Sequence, residues 1–179
     1  MLAHSDCVMV LVDVQGALAP LMYDHARLRD NLVRLLNGVQ LFGIPVLWLE
    51  QNPRQLGRTV PELCALLPGV APIEKMSFSA CGADAFVRQW QQSGRTTALL
   101  AGIETHVCIW QTARDLRDRA CAVHVVSDAV SSRTPENRAI GLQRCAAAGA
   151  VITSTEMLLF ELLQTAEAPQ FRDVLRLVK

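Results

Sequence analysis

Six short apolar runs, separated mostly by segments of helical period, constrain this chain more than any other feature. The runs lie at 7–13, 46–49, 71–74, 96–101, 122–126 and 151–153. None is longer than a single strand needs, and far too few apolar residues stand together for the roughly 20 that span a bilayer. Between them, the segment 25–42 places Leu28, Leu32, Leu35, Leu36 and Val39 on one face of a helix. Gly43 stands where that helix should stop, and Pro45 opens the next strand. Further helices are predicted at 61–66, 83–92, 105–119, 135–148, 154–164 and 169–178. Thr134 before Pro135 is an N-cap followed by Pro at the first helical position. Thr153 and Glu156 have the spacing of a capping box.

Strands alternating with helices make βαβ units with right-handed crossovers. Their strands form a parallel sheet buried on both faces. The expectation is a single domain, 1–179, of α/β class: a three-layer, doubly wound, Rossmann-like parallel sheet of about six strands. The stretch 50–69 is rich in Pro, Gly, Asn and Gln and reads as irregular. Ligands of such folds lie beyond the carboxyl ends of the strands, near the switch in strand order.

Charge narrows the function. The 179 residues carry 17 Lys+Arg and 17 Asp+Glu, and 51% are hydrophobic. A balanced charge gives no support to nucleic-acid binding, which needs a cationic surface. The apolar N-terminal run lacks a positive flank and is bracketed by Asp6 and Asp13, so it does not read as a signal peptide. A cytoplasmic protein without a membrane partner is expected. The six cysteines form no C-x-x-C pair, which argues against zinc ribbons and thioredoxin motifs. Five of them read as small core residues.

Cys108 is the exception. Asp13 ends the first strand, Lys75 follows the third, and Cys108 comes just after the fourth. With Thr105 as cap, Cys108 lies in the first turn of a helix, where the dipole favours a thiolate. Lys75 adds a positive charge, and Asp13 is placed to exchange a proton with the sulfur. Free backbone N–H groups between Ile103 and Cys108 are able to hold an oxyanion. Gln15 faces the same side as Asp13 if the strand continues, either orienting the acid or touching a substrate. Phe78 and Trp110 suit an aromatic pocket wall or the core, and Trp48 reads as core. His106 is two residues from Cys108, so on a helix the two side chains diverge. Asp128 and Arg133, after the fifth strand, read as structural and salt-bridged. The last apolar helix, with Met157, Leu158, Leu159, Phe160, Leu162 and Leu163, is apolar nearly all round. It is expected to be buried against a neighbouring subunit, making the chain a homo-oligomer.

The segments Leu11-Val-Asp-Val-Gln15, Lys75-Met-Ser-Phe78, Gly102-Ile-Glu-Thr-His-Val-Cys108 and Ser127-Asp-Ala-Val-Ser-Ser-Arg133 resemble the isochorismatase-like cysteine hydrolases. That superfamily includes nicotinamidase and N-carbamoylsarcosine amidase. The stretches Glu50-Gln-Asn-Pro53, Leu56-Gly-Arg-Thr-Val-Pro61 and Thr155-Glu-Met-Leu-Leu-Phe-Glu-Leu162 are most similar to its small metal-free group of isochorismatase-domain and YcaC-like hydrolases. The resemblance implies a catalytic triad of Asp13, Lys75 and Cys108. It implies a cis peptide between Ile103 and Glu104, with the Glu104 and Cys108 N–H groups forming the oxyanion hole. Gln15, Asn52, Phe78 and Ile103 are the expected substrate contacts. The implied reaction is thiolate attack on a small amide-like substrate, release of an amine, and hydrolysis of a thioester. No cofactor is expected. Nicotinamidases carry an Asp-x-His metal pair where this chain reads Glu50-Gln51-Asn52, and no His occurs between 26 and 105. Isochorismatase itself cleaves a vinyl ether and lacks the Cys. Two alternatives stand beside this reading: a nicotinamidase-like amidase, and a catalytically idle oligomeric binding or regulatory homologue.

Overall fold

The computed structural model describes residues 2–179. Its sheet has six strands: β1 (Cys7–Val12), β2 (Val46–Gln51), β3 (Ile73–Lys75), β4 (Thr97–Ile103), β5 (Ala122–Ser131) and β6 (Val151–Thr153). All pairings are parallel, in the order β3-β2-β1-β4-β5-β6. The helices are α1 (His25–Leu41), α2 (Pro53–Leu56), α3 (Pro61–Cys64), α4 (Asp84–Ser93), α5 (Trp110–Asp118), α6 (Pro135–Ala147), α7 (Thr155–Leu163) and α8 (Phe171–Val178). The doubly wound α/β class expected from the sequence is the one observed.

Strand alternation divides the core into two layers. Met9, Leu11, Leu99 and Ala101 point to one face, against Leu32, Leu35 and Leu36 of α1 and Leu158 and Leu162 of α7. Val8, Val10, Val12, Ala98 and Leu100 point to the other, against Phe86 and Trp90 of α4 and Ala113 and Leu116 of α5. The order reverses between β1 and β4, so the crevice of such a sheet opens between the residues that follow these two strands. Asp13 follows one and the turn holding Cys108 follows the other.

Several expectations need correction. β5 continues past Val126 to Ser131 because its polar residues are satisfied. The Asp128 carbonyl accepts from Asn31 Nδ2 at 2.9 Å, and its carboxylate takes Thr155 N–H at 2.8 Å and Thr155 Oγ1 at 2.9 Å. Asp128 therefore tethers α7 and does not pair with Arg133. The cap of α7 is Ser154, whose hydroxyl accepts from Met157 N–H, rather than Thr153. Thr134 does cap α6, accepting from Asn137 N–H. The leucines of α7 are covered within the chain: Leu159 and Leu163 pack on Val174 of α8. Only Met157 and Phe160 of its large apolar residues stay exposed, so this helix gives little support to an oligomer. Of the cysteines, all six are unpaired, and Cys64 is half-buried where a core position was expected.

Among the described residues, no helix is long and apolar enough to cross a membrane.

Candidate active site

Asp13 leaves β1 in the left-handed region, at φ 56°. Asp tolerates this conformation better than most residues. Opposite the preceding Val12, on β4, Gly102 has φ 124°, and a Cβ there would collide with the Val12 carbonyl. Two strands thus approach each other closely just where Asp13 emerges. The peptide bond between Ile103 and Glu104 is cis, as the resemblance implied.

The turn after β4 differs from the expected helix start. Residues Thr105–Ile109 form a wide π turn, in which Ile109 N–H reaches the Glu104 carbonyl at 3.2 Å. Regular helix α5 begins only at Trp110. Glu104, not Thr105, is the capping position, and the Thr105 hydroxyl is buried without a partner. Gly141 of α6 lets the turn pack closely, since a Cβ there would lie 2.7 Å from His106 N.

Asp13, Lys75 and Cys108 converge. Lys75 Nζ donates to Asp13 Oδ2 at 2.7 Å, with both side chains at most 2% exposed. It also reaches Gln51 Oε1 at 2.7 Å and the carbonyls of Ser77 and Phe78, each at 3.1 Å. Four acceptors around one nitrogen fit an ammonium, which has three protons to share. The second Asp13 oxygen, Oδ1, is buried and has no hydrogen-bond partner. The Cys108 thiol faces this carboxyl closely enough that each shifts the other's proton affinity.

The surroundings of the sulfur run against the expected thiolate. Burial pushes the Cys108 thiol up to about 12, the Asp13 charge adds to this, and Lys75 opposes it. At 6% exposure the sulfur has lost most of its water, and desolvation disfavours the charged form. Lys75, which acts the other way, is the smaller influence. Burial and the Asp13 charge therefore work against a resting thiolate at Cys108. Burial likewise pushes the Asp13 carboxyl up from its ordinary value, with Lys75 opposing.

The remaining predicted contacts divide. Gln15 is fully buried and its amide is already committed: Nε2 donates to the carbonyls of Gln51 at 3.0 Å and Gly57 at 2.6 Å, while Oε1 accepts Gln51 N–H at 2.7 Å. It staples the end of β2 to the following loop and has no atom left for a substrate. Gln15→Leu strands three backbone groups and is expected to cost about 2–5 kcal/mol of stability. Denaturant unfolding checks this, and an unchanged midpoint refutes the staple. Ile103 is also fully buried, in the core layer facing α1, so its side chain cannot contact a ligand. Asn52 and Lys75 border a cleft of about 340 Å³, together with Pro53, Arg54, Glu74 and Met76. Phe78 is 55% exposed. Trp110 lies under Arg144, 4.2 Å from the ring centre. His106 Nδ1 meets Ser132 Oγ at 2.9 Å, and Glu104 accepts from Arg133 Nε at 2.8 Å.

Sequence reasoning missed Gln51 as a partner of Lys75. The available signal was its place as the last residue of β2, at the same carboxyl edge as Asp13.

The donors present do not fit a divalent metal. Glu50 is buried, with Oε1 taken by Thr59 N–H and Oγ1 and Oε2 taken by Arg58. Among the described residues no cluster of three His, Cys, Asp or Glu could hold a metal ion.

Residues 7–157 match the isochorismatase domain. The chain belongs to the isochorismatase domain family. Isochorismatase domain-containing protein 2 of Danio rerio is 35% identical over 177 residues, covering 99% of this chain and 89% of that one. The MAR1 ribonuclease structure from Caenorhabditis elegans superposes with TM-score 0.92 at 31% identity, covering 99% of this chain and 91% of the other. The YcaC protein of Escherichia coli, described as an octameric hydrolase of unknown specificity, shares the isochorismatase-family fold, with TM-score 0.88 at 23% identity over 98% of this chain and 94% of that one.

Proposed function

We propose that this isochorismatase-family chain is a metal-independent cysteine hydrolase that cleaves the C–N bond of a small amide-like substrate. The observation that carries this is the free Asp13 oxygen: Oδ2 is held by Lys75, and Oδ1 is left unpartnered beside the Cys108 thiol. A buried carboxylate with raised proton affinity is a better base than an exposed one.

Asp13 Oδ1 takes the thiol proton as Sγ bonds to the substrate carbonyl carbon. The nucleophile is therefore made during the reaction, and no resting thiolate is needed. The oxyanion is held by the backbone N–H groups of Glu104 and Cys108. Asp13 passes its proton to the nitrogen, the C–N bond breaks, and an amine leaves. Water then attacks the thioester with Asp13 again as base, releasing the acid and the thiol. Lys75 keeps Asp13 ionised and balances the charge of the departing sulfur. Asn52, which lines a cleft with Lys75, and the exposed Phe78, whose carbonyl accepts from Lys75, are the candidate substrate contacts.

A small substrate fits better than a polymer, although the Caenorhabditis relative bears the name of a ribonuclease. Asp13, Lys75 and Cys108 are only 2%, 3% and 6% exposed, and the balanced charge offers no track for phosphates. The six free thiols support a reducing compartment such as the cytoplasm.

The test is to trap the acyl group. Incubation with a panel of small primary amides, nicotinamide included, followed by acid quench and peptide mass mapping, should reveal an acyl adduct on Cys108 that hydroxylamine removes. An adduct from nicotinamide would select the nicotinamidase-like alternative. No adduct from any amide, together with RNA cleavage or mere ligand binding, would reject the proposal.

A further inference from the structure

We infer that Gln51 is a positioning residue: its amide oxygen fixes the Lys75 ammonium against Asp13, and the buried Gln15 fixes Gln51. The inference rests on the hydrolase reading above and adds a fourth side chain to its charge system.

The geometry assigns the amide orientation without ambiguity. Lysine only donates, so Gln51 must turn its oxygen toward Nζ. That leaves Nε2 facing the Met76 carbonyl, and the bond there is 2.9 Å. Both ends of the amide are satisfied only in this orientation. The backbone of Gln51 is held just as firmly, since Gln15 binds its N–H at 2.7 Å and its carbonyl at 3.0 Å. The Asn52 N–H adds a bond to the Lys75 carbonyl at 2.9 Å, which aligns the ends of β2 and β3.

The choice of a neutral acceptor has a chemical reason. The two shortest contacts of Lys75 are to Asp13 and Gln51. Gln51 draws one ammonium proton away from Asp13 without adding a second negative charge. The carboxylate stays ionised and remains basic enough to accept a thiol proton. The charged and titratable groups around this point are Asp13, Lys75, Cys108 and Glu104. Glu50 and Glu74 are turned onto Arg58, and Glu104 is paired with Arg133.

The test uses iodoacetamide on the full-length protein, with alkylation at Cys108 followed by peptide mass mapping between pH 5 and 9. The Sγ–C bond forms, the C–I bond breaks, iodide leaves with its electron pair, and the thiol proton passes to Asp13. In the wild type the rate should fall tenfold per pH unit below the Asp13 titration and level off above it. Gln51→Met lets Lys75 turn fully onto Asp13, so the acid limb should move down by about half a pH unit or more. Gln51→Glu places a second carboxylate on the same ammonium, so the limb should move up by a similar amount. A purely structural role would move neither limb. Circular dichroism at the assay temperature establishes that each variant is folded. If Gln51→Met is not, Gln51→Glu keeps the acceptor and carries the test through its upward shift. A plateau whose limb ignores the substitutions, or follows both in one direction, overturns the inference alone. A wild-type rate that climbs steadily with pH and shows no plateau overturns the hydrolase reading and this inference with it.

Discussion

Cys108→Ala is expected to lower hydrolysis of whichever small amide acylates the wild-type sulfur by at least about 10³-fold. Among the described residues, Cys108 is the cysteine that acts on the Asp13 carboxyl, so no other is placed to replace it. Cys108→Ser should be almost as severe. Its hydroxyl is a weaker acid than the thiol, so Asp13 cannot deprotonate it at comparable cost, even though the oxygen is nearly isosteric. Neither substitution should unfold the chain: removing one sulfur from a packed site costs about 1 kcal/mol. Initial rates together with thermal unfolding check both halves of this expectation. If the folded Ala variant kept activity within tenfold of wild type, the nucleophile would have to be sought elsewhere.

Lys75→Met should damage both activity and stability. The substitution keeps the length of the side chain but removes the cation bonded to Asp13. Breaking one partner of a buried ion pair typically costs about 3–5 kcal/mol, because the other charge stays buried and uncompensated. It also leaves Gln51 Oε1 and the Ser77 and Phe78 carbonyls without their donor. Asp13 escapes the penalty by holding a proton, so its folded-state titration rises further above the ordinary carboxylate value. A carboxyl that is harder to ionise when folded favours the native state below its unfolded pKa, and this advantage is lost as pH rises through the folded value. The deficit of Lys75→Met should therefore be smallest near pH 4 and grow as the pH rises, reaching full size only where Asp13 ionises. Urea unfolding at several pH values measures this. A deficit independent of pH would mean that Asp13 is not the group left uncompensated. Catalysis should fail in parallel at low and neutral pH, since a protonated Asp13 cannot accept the thiol proton.

Part of this site is legible from local pattern. Asp13 and Lys75 stand at the ends of apolar runs and Cys108 in the turn after one, which local period makes visible, and the family resemblance of the segments around them joined the three. Thr134 and Pro135 mark the start of α6 for the same reason, since a cap bonds to a backbone only a few residues away. β5 was read too short because Ser127 and Asp128 look like a turn. The Asp128 carbonyl and carboxylate are satisfied by Asn31 and Thr155, which lie far away in the chain, and the Ser127 carbonyl by Arg138. Gln15 looked like a substrate contact because alternation says which face a side chain shares, not what already occupies its hydrogen bonds. The apolar face of α7 looked like a subunit contact because the sequence does not show that α8 folds back over it.

Sequence alone determined the number of strands, their parallel sense and the three residues that stand at their carboxyl ends, because periodicity and capping act over a few positions. Tertiary structure decided what surrounds those three residues. The Asp13–Lys75 bond joins residues 62 positions apart. The raised proton affinity of the Cys108 thiol depends on how much water the whole fold removes from it, and no short segment carries that information.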